Sequence, residues 1–189
     1  MPTMEPDRGP TLLAIARGAI AAELGEKVPV YEPADWLQEP GASFVTLTTH
    51  GQLRGCIGTL QARRPLGKDV ALNAKAAAFQ DDRFEPLSHR EYPDLEIEVS
   101  VLSPLEELGF DGQDQLLSLL RPGVDGLLLE YEGWRGTFLP QVWAQLPDPA
   151  VFLAHLKQKA GLPPKFWDDD IRVSRYTVTE WKESGVSHG

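Results

Sequence analysis

The single cysteine of this 189-residue chain stands in Leu53-Arg54-Gly55-Cys56-Ile57-Gly58-Thr59, between two glycines and two residues after an arginine. A thiol can attack an electrophile or hold a ligand covalently. A guanidinium beside it favours thiolate, whereas burial among apolar groups leaves it inert. On an extended strand Arg54, Cys56 and Gly58 share one face and Leu53, Gly55 and Ile57 the other, which makes Arg54 the neighbour of Cys56. Glycine inside a strand forfeits packing and marks a bulge or the close approach of a backbone or ligand, so two of them beside Cys56 suggest a recess. The plainer alternative is a small buried filler, with the glycines admitting a packed helix.

The charge around this segment is unlike that of the rest. Between Gln52 and Lys75 the bases Arg54, Arg63, Arg64, Lys68 and Lys75 face the single acid Asp69, a local balance of +4 in a chain of net charge −10. The overall negative charge opposes non-specific attraction to nucleic acid, so a nucleic-acid role would need a local basic patch. Gly67-Lys68 is followed by Asp69 rather than Ser or Thr, so it is not a phosphate loop. His50, His89, His155 and His188 show no metal-ligand spacing, and no metal site is expected from them. One cysteine makes no internal disulfide, and the N-terminal residues lack the pattern of a signal peptide, which together imply a reducing, cytoplasmic setting. No apolar run is long enough to cross a bilayer.

The elements that must position the thiol are legible in the periodicity. Residues 1–10 read as a flexible lead-in, followed by a helix capped by Thr11 and ended near Gly25. A β-hairpin turns at Thr49-His50-Gly51-Gln52, with Cys56 on its second strand. The small-residue stretch 64–82 predicts a helix suited to close packing on a sheet. Leu95, Ile97, Val99 and Val101 alternate with Glu96, Glu98 and Ser100, which predicts a half-buried strand packed against the helix that contains Ala76 to Phe79. A short helix over 114–120, two strands around Gly133, a helix over 149–160 and one final strand over 171–181 complete an α+β pattern. The reading is one domain over 11–182 with a flexible tail at 183–189.

In order along the chain, "LRGCIGT" at 53–59, "DDRF" at 81–84 followed by Pro86, "LEIEVSVLSPLEEL" at 95–108, "GVDGLLLE" at 123–130, "FLPQV" at 138–142 and "KAGL" at 159–162 with Trp167 after it form a specific set. With it the sequence resembles the AMMECR-one domain family, whose bacterial and archaeal members are called protein A of the AmmeMemoRadiSam system. The resemblance covers nearly the whole chain from the first helix to Trp181. Asp82 departs from it, standing where the commonest family form has proline. The resemblance implies an α+β protein built mainly on antiparallel sheet with flanking helices, bilobed, with a larger and a smaller subdomain and "RGCIG" near the cleft between them. It implies partnership with a Memo-type protein and a radical S-adenosylmethionine protein. It supplies no activity.

Three functional classes fit these residues. In the first, Cys56 is the nucleophile of a hydrolase or transferase, with Arg54 holding thiolate or substrate charge and a carboxylate or histidine moving protons. In the second, Arg54, Arg83 and the backbone at Gly55 and Gly58 bind an anionic small molecule, nucleotide or peptide, with Asp81 beside Arg83 and Gln141 of "FLPQV" walling the site. In the third, the chain is a scaffold or adaptor and "RGCIG" serves only the fold.

Overall fold

The apolar alternation of 95–102 is an eight-residue strand, and the sheet around it sets the position of Cys56. The structure is a computed structural model that describes residues 7–184. In chain order its elements are α1 (Gly9–Leu24), a 3-10 turn (Asp35–Gln38), β1 (Pro40–Thr49), β2 (Gln52–Gly58), β3 (Arg64–Pro65), α2 (Leu66–Phe79), a 3-10 turn (Tyr92–Asp94), β4 (Leu95–Leu102), β5 (Glu106–Glu107), α3 (Gly112–Leu119), β6 (Gly126–Tyr131), β7 (Trp134–Phe138), a 3-10 turn (Pro140–Ala144), α4 (Pro149–Ala160), β8 (Arg172–Tyr176) and β9 (Val178–Lys182). This is the expected α+β class, with antiparallel pairing in two sheets. The chain divides into two compact units, the larger running to Leu102 and resuming at Thr179, the smaller spanning Ser103–Val178. Among the described residues no helix is long and apolar enough to cross a membrane.

In the larger unit the strand order is β2-β1-β4-β9, with β3 paired to the start of β1. The β1–β2 hairpin turns on His50 and Gly51, both with positive φ (52° and 77°), the geometry whose twist suits a two-residue loop. Val45, Leu47, Leu95, Ile97 and Val99 point into one core with Leu12, Ile15, Ala16 and Ile20 of α1 and Val70, Ala74, Ala77 and Ala78 of α2. The expectation that β4 lies against α2 needs correction: α2 covers β1 and β2, and α1 covers β4. Alternation shows which face of a strand is buried but not which helix buries it.

The first helix begins at Gly9, two residues ahead of Thr11, and Arg8 at its cap makes no side-chain capping bond. Pro10 in the first turn has a φ already suited to a helix, and the Asp7 carboxylate accepts the Gly9 N–H at 3.0 Å. Residues 1–6 and 185–189 of the expected lead-in and tail lie outside the described residues.

The smaller unit holds the sheet β5-β8-β6-β7. Its core joins Leu127, Leu129 and Val173 to Phe152, Leu153 and Leu156 of α4, with Trp143 stacked on Phe152 at 3.7 Å between ring centroids. Asp148 caps α4 by accepting the Ala150 N–H at 2.8 Å. The single strand expected over 171–181 is two strands in two sheets, β8 here and β9 in the larger unit's sheet. The chain changes sheet at Thr177, whose N–H donates to Ser103 Oγ at 2.8 Å and whose carbonyl accepts the Ser103 N–H at 2.9 Å.

Candidate functional site

Cys56 is half-buried on β2, and its neighbour Gly55 is the residue that faces α2. The cross-strand partner of Cys56 on β1 is Thr46, whose own partner on β4 is Glu98. Thr46 Oγ1 lies 3.3 Å from Cys56 Sγ. The three residues therefore form one row across the sheet, on the face opposite Val45, Leu47 and Ile97. On β9 Lys182 Nζ stands 4.0 Å from Glu98 Oε2, and Glu180 lies two residues before Lys182 on the same strand. Burial, then the Glu180 carboxyl, push the Glu98 carboxyl up to about 7. Alternation along the strand puts Glu98 on its polar face. Only the register of β1 against both neighbours brings it into line with the thiol.

The expected pairing of Arg54 with Cys56 is overturned. Leu47 pairs with Gly55 and Thr48 with Leu53, so Arg54 is the extra residue of a bulge, and strict alternation fails at the position where it was applied. The buried Arg54 guanidinium instead donates to Glu91 (Nε to Oε2, 2.6 Å) and to the Glu85 carbonyl (Nη2, 2.6 Å), and it stacks over Phe84. It staples β2 to the segment after α2, and its charge holds the Glu91 carboxyl below the usual carboxylate range.

Arg83 is the cation that reaches the backbone of Cys56. Its Nη2 lies 3.5 Å from the Cys56 carbonyl oxygen, and its side chain is 56% exposed. Asp81, almost fully buried, receives Arg83 Nη2 at 2.7 Å, Arg83 Nε at 3.0 Å and the Cys56 N–H at 3.0 Å. The Arg83 guanidinium, aided by the Cys56 and Arg83 backbone N–H groups, keeps the Asp81 carboxyl well below the carboxylate range despite its burial.

The glycines serve packing. A Cβ on Gly55 would overlap the Ala77 carbonyl of α2, and one on Gly58 would overlap the ring of Phe44. The space expected above them is thus filled by a helix backbone and an aromatic ring. The positive island is halved in three dimensions: Arg54 pairs with Glu91 and Lys75 with Glu23, while Arg64 pairs with the buried Asp69 of the island itself. Asp69 further accepts Ser43, Thr59 and Asn73 donors, a polar knot that anchors α2 to β1.

Of the other candidates, Gln141 lies exposed in the 3-10 turn of the smaller unit. His50 approaches Asp94 and His89 approaches Glu26, so their partners are surface acids. Among the described residues no three His, Cys, Asp or Glu side chains are grouped to hold a metal ion. A separate groove of about 430 Å³ in the larger unit is lined by Pro10, Leu13, Arg17, Pro29 and Trp181.

Comparison with known proteins agrees with the motif set. The sequence matches the AMMECR1 family over residues 13–181. A protein of Methanothermobacter thermautotrophicus is 42% identical over 186 residues, spanning 95% of this chain and 96% of that one. A protein of Aeropyrum pernix is 36% identical over 200 residues, 97% of this chain and 84% of that one. The crystal structure of an uncharacterized protein from Pyrococcus horikoshii superposes with a TM-score of 0.84 at 33% identity, covering 97% of this chain and 95% of that one.

Proposed function

The chain belongs to the AMMECR1 family, and from that premise we propose that it binds, or covalently handles, a small anionic ligand at Cys56 with Arg83 as the anchor of the anion. One observation carries this reading: the residue that bears the half-buried thiol donates its backbone N–H to Asp81, whose partner Arg83 leaves more than half of its side chain open. Arg83 engages Asp81 through Nε and Nη2, which leaves the Nη1 edge for a carboxylate or phosphate oxygen. Arg54 takes no part in this reading, because its bonds hold the fold.

Where the ligand is an acyl compound, the Cys56 sulfur forms an S–C bond at the carbonyl as the bond from that carbon to the leaving group breaks, and the leaving group departs with the S–H proton. Water or a second acceptor then takes the acyl group, which is the course of a hydrolase or transferase. The pathway shared with Memo-type and radical S-adenosylmethionine proteins enters this proposal on family resemblance alone. Direct binding of the purified chain to those two proteins is its test.

The ligand site is tested by protection of the thiol. Iodoacetamide labelling of the intact protein is measured with and without sulfate, phosphate and nucleoside phosphates. Anions should slow labelling of the native protein and lose that effect in Arg83→Ala. Equal protection in Arg83→Ala, or none in the native protein, overturns the proposal and leaves the scaffold reading.

A further inference from the structure

Strand β9 ends the larger unit's sheet: β4 lies on one side of it, and among the described residues no strand pairs with the other side. The Glu183 N–H donates to the Ile97 carbonyl at 3.1 Å, while the side chains of Lys182 and Ser184 reach Glu98 and Glu96. Each step along β9 is thus matched by one step back along β4. The alternation of such a ladder turns the backbone of Thr179, Trp181 and Glu183 toward β4 and that of Glu180 and Lys182 out of the sheet edge. Neither a proline nor a bulge blunts this edge. A groove of about 430 Å³ borders the same strand, lined by Pro10, Leu13 and Ala14 of α1, by Pro29, and by Trp181, whose ring packs on Gly9. Next to Pro29 in the chain, Val30 is 94% exposed. An open strand edge beside an apolar groove is the surface that strand addition uses, the backbone giving affinity and the groove taking side chains.

We infer that the occupant of this edge is a second copy of the chain, its β9 paired antiparallel with the first across a two-fold axis. Residues whose backbone faces outward must oppose one another for the ladder to form, which restricts the register. A pairing centred on Glu180 sets two glutamates face to face, and one centred on Lys182 sets two lysines so; like charges directly opposite are destabilising. A pairing centred on Trp181 sets Glu180 of each copy against Lys182 of the other, giving two opposite-charge pairs and hydrogen bonds exchanged at both. Glu180-Trp181-Lys182 is therefore self-complementary about its tryptophan. In that register the two Trp181 rings stand on the same face as α1 of each copy, and the two grooves join into one apolar seam. The net charge of −10 opposes association of two chains, so local attraction is what selects the register. Cys56 is on β2, at the far edge of the sheet, and stays open in such a dimer.

The test is sedimentation equilibrium of the full chain at about 0.15 M salt, which screens the long-range repulsion, as protein concentration rises from about 1 to 200 µM. The native mass should pass from one chain toward two. Glu180→Lys and Lys182→Glu each turn two attractions into two repulsions, and each should raise the dissociation constant roughly tenfold or more. Both side chains are exposed, so both variants should keep the native circular dichroism and thermal midpoint. Mixed in equal amounts, the two variants should pair with each other, because every lysine of one then faces a glutamate of the other. Simple damage to the strand would not be repaired by mixing. A native chain that stays single at 200 µM, a dimer that survives both reversals, or a mixture that fails to recover the dimer overturns the proposal.

Discussion

The Cys56 backbone N–H donates to Asp81 Oδ2 at 3.0 Å, so the strand that carries the thiol is tied directly to the acid that holds Arg83. Asp81→Asn keeps the shape and removes the charge. It should cost about 2 kcal/mol at pH 7, since hydrogen bonds to a charged group are the stronger kind. The folded-state carboxyl lies below its unfolded value, so its contribution is present above about pH 4 and is lost as pH falls further. Urea unfolding should show native stability falling below pH 4 more steeply than that of Asp81→Asn. Parallel curves would remove this role.

Two arginines of one neighbourhood should behave differently. Arg54→Ala leaves Glu91 and the Glu85 carbonyl without their donor, and its expected loss is about 3 kcal/mol. Arg83→Ala, at a half-open side chain, should cost less than half of that while abolishing anion protection of Cys56. Equal destabilisation by the two would count against separate roles.

Alanine at the glycines probes the packing around the thiol. Gly55→Ala meets the backbone carbonyl of Ala77, which cannot rotate aside, and should cost about 3 kcal/mol. Gly58→Ala meets the Phe44 side chain, and should cost less because a ring can shift. The order of the two thermal midpoints is the measurement, and the reverse order would show α2 to be the more yielding neighbour.

Lys157, on the buried face of α4, has 1% of its surface exposed and one hydrogen bond, from Nζ to Gln113 Oε1 at 2.5 Å. Burial lowers its affinity for a proton. The unfolded chain therefore binds more protons between the folded and unfolded values, and stability should rise with pH toward about 10. Lys157→Met should flatten that rise and equal or exceed the native stability by about 1 kcal/mol at pH 7. A loss of more than about 2 kcal/mol would show the Gln113 bond to outweigh burial of the charge.

Glu98 carries the opposite slope to Asp81. Its folded-state carboxyl, near 7, binds a proton more tightly than the unfolded one, so stability should fall as pH rises from about 4.5 to 7. Glu98→Gln should remove a loss on the order of 2 kcal/mol over that window. Chemical denaturation at pH 5 and 7.5 measures it, and an unchanged difference between the two pH values would place the titration elsewhere.

Local pattern alone located much of this molecule. The hairpin at His50-Gly51 follows from residues that tolerate positive φ, the buried face of β4 from period-two alternation, and the end of α4 from Gly161. The ordered motif set likewise identified the family from residues far apart in the chain. These are properties of single segments, set by sterics and by which side chains avoid water, and they need no knowledge of neighbours.

Pairing and packing decided the rest. Arg54 left the thiol because one extra residue in β2 opposite Leu47 and Thr48 interrupts the alternation that would have placed it there. The run 171–181 divided between two sheets because a strand's partners are chosen by the edges it meets, not by its own pattern. The positive island was halved by Glu91 and Glu23, acids distant in sequence. Glu98 reached the Cys56 row only through the register of β1 with β2 and β4 together. Residue types and spacing along one chain determine which groups are present and which face of each element they occupy. Charge balance, proton affinity and the space above a thiol depend on distances of a few ångströms across strands, and those exist only once the tertiary structure has formed.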